Sequence, residues 1–174
     1  LRERRTGGSL LVDALRRHYD YLAQTEPPPL QVLAPTLVAM NERSAVPRLI
    51  DHLMDPYTST EGLKEIVQAV NTLGDSSTAG PLKDFLTRYH ADSAFRRNID
   101  PLKLVAEGIL RLGDAAGRQY LEQVAADPTT IEGLSAHIRG ILTAADAAAR
   151  AREEARAREE AERLRQAELA ANPA

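Results

Sequence analysis

The residues of this sequence best suited to acid–base or metal chemistry are four histidines, His18, His52, His90 and His137. They lie far apart in the chain, and none is read as having a ligand partner at the spacing that puts two donors on one face of a helix. The expectation is therefore four satisfied or exposed histidines and no metal site. Paired carboxylates occur only near the C-terminus, at Glu153-Glu154 and Glu159-Glu160. Adjacent residues do not face each other on a helix, so these pairs make a solvated face rather than an acid–base couple. There is no cysteine, which excludes thiol catalysis, disulfides and zinc-thiolate sites. No glycine-rich phosphate loop or nucleophile elbow is present, and Ser9 after Gly7-Gly8 reads as a helix cap. The chain is expected to be no enzyme and to need no cofactor. Arg2, Arg4, Arg5, Arg16 and Arg17 form the one basic cluster, which could meet nucleic acid. A formal net charge of -3 with both signs interspersed argues against a dedicated polyanion binder.

With catalysis set aside, the sequence is organised by a helical hairpin between Thr58 and Leu86. Thr58 and Glu61 have capping-box spacing. Leu63, Ile66, Val67, Val70 and Leu73 follow at three- and four-residue intervals, one apolar stripe on a helix. Gly74 then stands where a left-handed residue ends a helix, and Asp75, Ser76 or Ser77 can cap the next one. Leu82, Phe85, Leu86 and Tyr89 supply its stripe. The pattern returns: residues 72–86 match residues 111–125 around Leu112-Gly113-Asp114, and residues 39–53 match more weakly around Met40-Asn41-Glu42. Asn41 takes the glycine position, as the side chain that best tolerates a left-handed backbone. Spacings of about 33 and 39 residues fall near the periods of two-helix solenoid repeats.

On these features the chain resembles the HEAT-repeat family in its short bacterial form. The Leu-Gly-Asp hinges, Ala45-Val46-Pro47-Arg48-Leu49 opening a second helix, and Asp55-Pro56 and Asp127-Pro128 closing second helices carry the resemblance, over roughly residues 27–145. It implies an all-α fold: an α-α superhelix, or solenoid, of about three helix pairs. It also implies a non-catalytic protein–protein interaction scaffold with second helices lining the concave side. The aligned outward columns there are Arg48, Pro81 and Tyr120 beside Asp51, Asp84 and Gln123, the candidate partner-binding residues. Tyr120 is the sharpest of them if exposed, because aromatic anchors carry interface energy. The competing reading is a nucleic-acid-binding module using the N-terminal arginines.

The remaining chain frames the repeats. Residues 1–8 read as a frayed entry and residues 9–145 as the repeat domain. Its first helix is expected from Ser9 to about Ala23, a capping helix with Leu11, Leu15 and Leu22 inward alongside Ala14 and His18, stopped by Pro27-Pro28-Pro29. Pro35 falls inside or restarts the next helix. A second helix is expected from about Ser44 to Met54. Residues 90–98 are the longest irregular insert. Asp100-Pro101 reads as cap and first helical residue, with Ile99 stapled onto Leu104. Thr129 and Glu132 have capping-box spacing before the apolar face of Ile131, Leu134, Ile138, Ile141, Leu142 and Ala145. Residues 146–174 turn to Ala, Arg and Glu, with opposite charges four apart, and predict a long solvated helix. No run is apolar enough to span a membrane. The opening at Leu1 and the excess of Arg over Lys suggest one domain of a larger bacterial protein, expected in the cytoplasm.

Overall fold

Eight α-helices and three short 3-10 turns make up the secondary structure, with no β-strand among the described residues. The helices are α1 (Arg2–Ala14), α2 (Leu30–Ala39), α3 (Val46–Leu53), α4 (Thr60–Leu73), α5 (Ala79–Tyr89), α6 (Asp100–Leu112), α7 (Ala115–Ala126) and α8 (Glu132–Ala171). This computed structural model describes the backbone of residues 2–171 and the side chains of residues 7–168 and 171. The chain divides into two compact units, one ending at Ile138 and one starting at Arg139.

In the first unit, α4 lies between α2 and α6, α3 packs on α4, α5 packs on α6, and α7 packs on both α5 and α6. The α4 stripe read from the sequence, Leu63, Ile66, Val67, Val70 and Leu73, is buried, as are Leu82, Phe85 and Leu86 of the α5 stripe, whose Tyr89 is half-buried; α6 buries Leu102, Val105 and Ile109 and leaves Leu112 half-buried. Each large aliphatic side chain taken fully out of water contributes about 1.5–3 kcal/mol. Thus α3 lies closest to α4 and α5 to α6, each against the helix that follows it.

The hinges explain this. Gly74 does not adopt the expected left-handed backbone; its φ is -73° and ψ 168°, and Gly113 matches it at -81° and 170°. No glycine has positive φ. At Gly74 and Gly113 an extended residue sends the chain away from the helix just completed. What demands glycine is space. A Cβ on Gly74 would sit 2.6 Å from the Val70 carbonyl oxygen and 2.7 Å from Thr78 Oγ1, and one on Gly113 would sit 2.5 Å from the Ile109 carbonyl oxygen. Asp75 and Asp114 follow in extended conformation, and each carboxylate accepts backbone N–H groups opening the next helix, from Ser77 and from Ala116 and Gly117. The left-handed residue is instead Asn41, at φ 53°. There Glu42 N–H donates to Leu37 O and Asn41 N–H to Val38 O, the paired bonds of a Schellman ending.

Several local expectations are displaced. The cap of α4 is Ser59, whose hydroxyl accepts from Gly62 N–H at 3.1 Å. Thr58 donates to the His52 carbonyl at 2.7 Å, so the Thr58–Glu61 box does not form. Thr129 spends its hydroxyl on Asp127 at 2.7 Å, and α8 starts only at Glu132, so that box is absent too. Asp100 is the first residue of α6 and Ile99 its cap. The Ile99 side chain lies against Gly133. Residues 2–8 are helical rather than frayed, and α1 ends at Ala14, nine residues before the expected stop. The 90–98 insert contains a 3-10 turn, Ser93–Arg97, capped by Asp92. Its Phe95 stacks edge-on to Phe85 and beside Tyr89.

In the second unit, every described side chain from residue 147 to residue 168, Leu164 included, is exposed. Arg158–Glu154 and Arg163–Glu159 pair at 3.6 and 3.3 Å, each worth a few tenths of a kcal/mol at such exposure.

Candidate functional site

The second-helix columns come out mixed. Asp51, Asp84 and Gln123 are exposed, whereas Arg48, Pro81 and Tyr120 are partly buried. Arg48 is engaged by Asp51 at 3.1 Å. Tyr120 is tied down: its hydroxyl donates to the Lys83 carbonyl at 3.1 Å and shares a hydrogen bond with Thr87 at 2.8 Å. Burial pushes its phenol above the usual value. It is a strut between α7 and α5 rather than a free anchor.

A cluster of exposed apolar side chains lies elsewhere, where α1 stops early. Residues 15–29 form a loop closed by an antiparallel bridge between Asp20 and Thr25. Asp20 also caps its own turn, its carboxylate accepting from Leu22 and Ala23 N–H at 2.9 and 3.0 Å. Gln24 supplies the left-handed residue, at φ 50°. The turn presents Tyr19, Tyr21 and Leu22 to solvent, and Leu22 is 92% exposed rather than inward-facing. Tyr57, from the turn after α3, is exposed beside them, its ring 4.8 Å from that of Tyr19. Sequence reasoning missed this patch by running α1 through it. The available signal was Tyr19-Asp20-Tyr21, three poor helix formers in a row.

Beneath the patch, His18 and His52 come together, against the expectation of scattered histidines. Their rings stack with centroids 4.3 Å apart. Asp55, three residues after His52, joins them: His18 Nδ1–H donates to Asp55 Oδ2 at 2.8 Å. Its second oxygen accepts from Tyr57 N–H at 2.9 Å. Burial pushes the Asp55 carboxyl up, but the His18 and Tyr57 hydrogen bonds outweigh it and leave the group below the usual carboxylate value. His52 is 1% exposed, and its Nε2–H donates to the Leu15 carbonyl at 2.7 Å. That bond ties the loop to α3 just past the end of α1. Burial holds the His52 imidazole below its usual value, so it is neutral at pH 7. Its Nδ1 is buried with no partner. The other two histidines stand apart. His90 donates to Thr130 Oγ1 at 2.9 Å, and His137 lies 3.0 Å from Glu107.

A recess of about 700 Å³ crosses the first helices, lined by Pro35, Val38, Asn71, Leu104, Glu107 and Arg111 among others. Within the arginine cluster, Arg16 pairs with Asp13 at 3.1 Å and Arg17 is exposed; the side chains of Arg2, Arg4 and Arg5 lie outside the described residues. No helix among the described residues is long and apolar enough to cross a membrane.

Comparison with family models, with curated proteins and with solved structures finds no match.

Proposed function

We propose that the chain is a non-catalytic scaffold that binds another protein, built from three HEAT-like helix pairs, and that the partner seats on the tyrosine loop. The repeat reading is supported by the hinges at Gly74 and Gly113. They share backbone angles, a carbonyl blocking the Cβ position, and an aspartate capping the next helix. The observation that carries the function is the cluster of Tyr19, Tyr21, Leu22 and Tyr57 at the surface. Large apolar groups held on a turn already fixed by hydrogen bonds lose little freedom on docking, and tyrosine is enriched among residues that dominate binding energy. The second-helix columns offer charges but no free aromatic, so they form at most a polar surround.

The test compares three proteins in affinity capture from the source cells: wild type, Tyr21→Ala with Leu22→Ser, and Asp51→Lys with Asp84→Lys. Circular dichroism confirms that each is folded. The expected result is a specific protein held by wild type and by the Asp51/Asp84 variant, and lost by the Tyr21/Leu22 variant. Undiminished capture by a folded Tyr21/Leu22 variant overturns the assignment. Elution of the captured material by nuclease would replace a protein partner with nucleic acid.

A further inference from the structure

We propose that His18, His52 and Asp55 form a binding site for a divalent transition-metal ion of the zinc class. One donor atom from each of the three lies within 4.8 Å of the others, though the residues come from two segments 37 positions apart. The chemistry of each donor fits. His52 Nε2–H is committed to the Leu15 carbonyl, which fixes the tautomer and leaves a lone pair on Nδ1. A second-nitrogen bond to a backbone carbonyl is what orients and sharpens a metal-ligating histidine. That Nδ1 is fully buried and unpartnered, a lone pair removed from water with no donor or cation to satisfy it. Asp55 is steadied through one oxygen by Tyr57 N–H and presents the other to His18. Two neutral imidazoles and one carboxylate match the preference of zinc, and the set leaves a fourth tetrahedral position for water.

Binding needs one rearrangement. The imidazoles stack with planes 18° apart, and an ion cannot lie in the plane of both rings while they remain parallel. His18 must turn out of the stack. It is the ligand free to do so, on the loop and with its side chain 39% exposed against 13% for Asp55. Bonds of about 2.0–2.2 Å to each donor then draw the three together. The ion takes the place of the proton now shared between His18 Nδ1 and Asp55 Oδ2, and in the neutral ring that proton moves to Nε2. The exposed edge of His18 is the way in. The site stands independently of the protein-binding proposal. Filled, it clamps the tyrosine loop to the turn after α3.

The test is titration of metal-stripped full-length protein with Zn²⁺ by calorimetry and with Co²⁺ by visible absorption. His18→Ala and Asp55→Asn are the variants, and His137→Ala is the control. Thermal melts without metal establish that each variant folds. The expected result is one ion per chain, an intense Co²⁺ band typical of tetrahedral coordination, and affinity reduced by about tenfold or more in each ligand variant. The control should bind as wild type does. A nitrogen NMR spectrum should show His52 Nδ1 shifting on Zn²⁺ addition. Failure of wild type to saturate below millimolar Zn²⁺, or wild-type affinity in folded His18→Ala, overturns the site. So does loss of binding only in His137→Ala.

Discussion

Replacing Gly74 by alanine separates two reasons for needing glycine at a helix end. By backbone conformation alone the change should be harmless, since φ -73° and ψ 168° suit any L-residue. By space it should not. Ordinary contact begins at 3.4 Å, and the new Cβ would fall about 0.8 Å short of that against the Val70 carbonyl and about 0.7 Å short against Thr78 Oγ1. The carbonyl belongs to the last turn of α4 and cannot retreat without disturbing the bond it accepts from Gly74 N–H at 2.8 Å. Thr78 is buried at the end of the 3-10 turn, in the cap position of α5. Forcing one extra carbon into such a place costs about 1–3 kcal/mol. With a urea dependence of about 1–3 kcal/mol per molar, the unfolding midpoint should fall by about 1 M. Gly80→Ala is the control: nothing lies within 4 Å of its Cβ position, so loss of unfolded-chain freedom should make it neutral or stabilising by up to about 1 kcal/mol. Adding Thr78→Ala to Gly74→Ala should recover part of the loss. Urea unfolding followed by circular dichroism reads all three. A Gly74→Ala midpoint equal to wild type would refute the steric account, and no recovery in the double variant would remove Thr78 from it.

Other outcomes follow from the same geometry. Truncation after Ala147 should lower helical signal but leave the thermal midpoint of the first unit within a few degrees, because residues 147–168 bury no side chain; a large fall in a melting scan would contradict this. Asp75, Asp114 and Asp127 are held below the usual carboxylate value, chiefly by the Ser77 hydroxyl, the Gly117 N–H and the Thr129 hydroxyl respectively. Their stabilisation is complete above the unfolded value of about 4 and disappears as pH falls through the lower folded values. Replacing all three by asparagine should therefore flatten the stability-against-pH curve in that acid window, measured by denaturant midpoints. Asn71→Asp should destabilise more than Asn71→Ala, by about 2 kcal/mol or more. The amide donates to the Leu104 carbonyl at 2.8 Å, and a carboxylate there would face that oxygen with no proton to offer; equal midpoints for the two variants would refute the reasoning.

The apolar stripes and the hinge positions were legible because helix periodicity and the Leu-Gly-Asp punctuation are local. Leu63 through Leu73 and Leu82 through Leu86 needed nothing beyond their own spacing. The reason for each glycine was not legible. Left-handed backbone and close approach leave the same letter in a sequence, and only the Val70 carbonyl standing over Gly74 distinguishes them. Asn41 was read correctly because few other side chains suit that conformation. The His18–His52–Asp55 cluster was half visible, since Asp55 follows His52 by three. Its other half depends on the chain turning back after Leu15, which periodicity does not encode. The tyrosine loop was lost for a related reason: Leu22 continues the apolar spacing of Leu11 and Leu15, while the Asp20–Thr25 closure that breaks the helix has no apolar signature.

The placement of the aromatic residues also fixes how this protein responds to light. There is no tryptophan, so its near-ultraviolet emission comes from five tyrosines. Tyr120 donates its hydroxyl to a backbone carbonyl, an arrangement that quenches, and Tyr89 packs in one cluster with Phe85 and Phe95. The other three, Tyr19, Tyr21 and Tyr57, belong to the patch around the loop. Three of the five tyrosines thus share one corner of the molecule, and anything that settles there changes emission intensity and polarisation without a label.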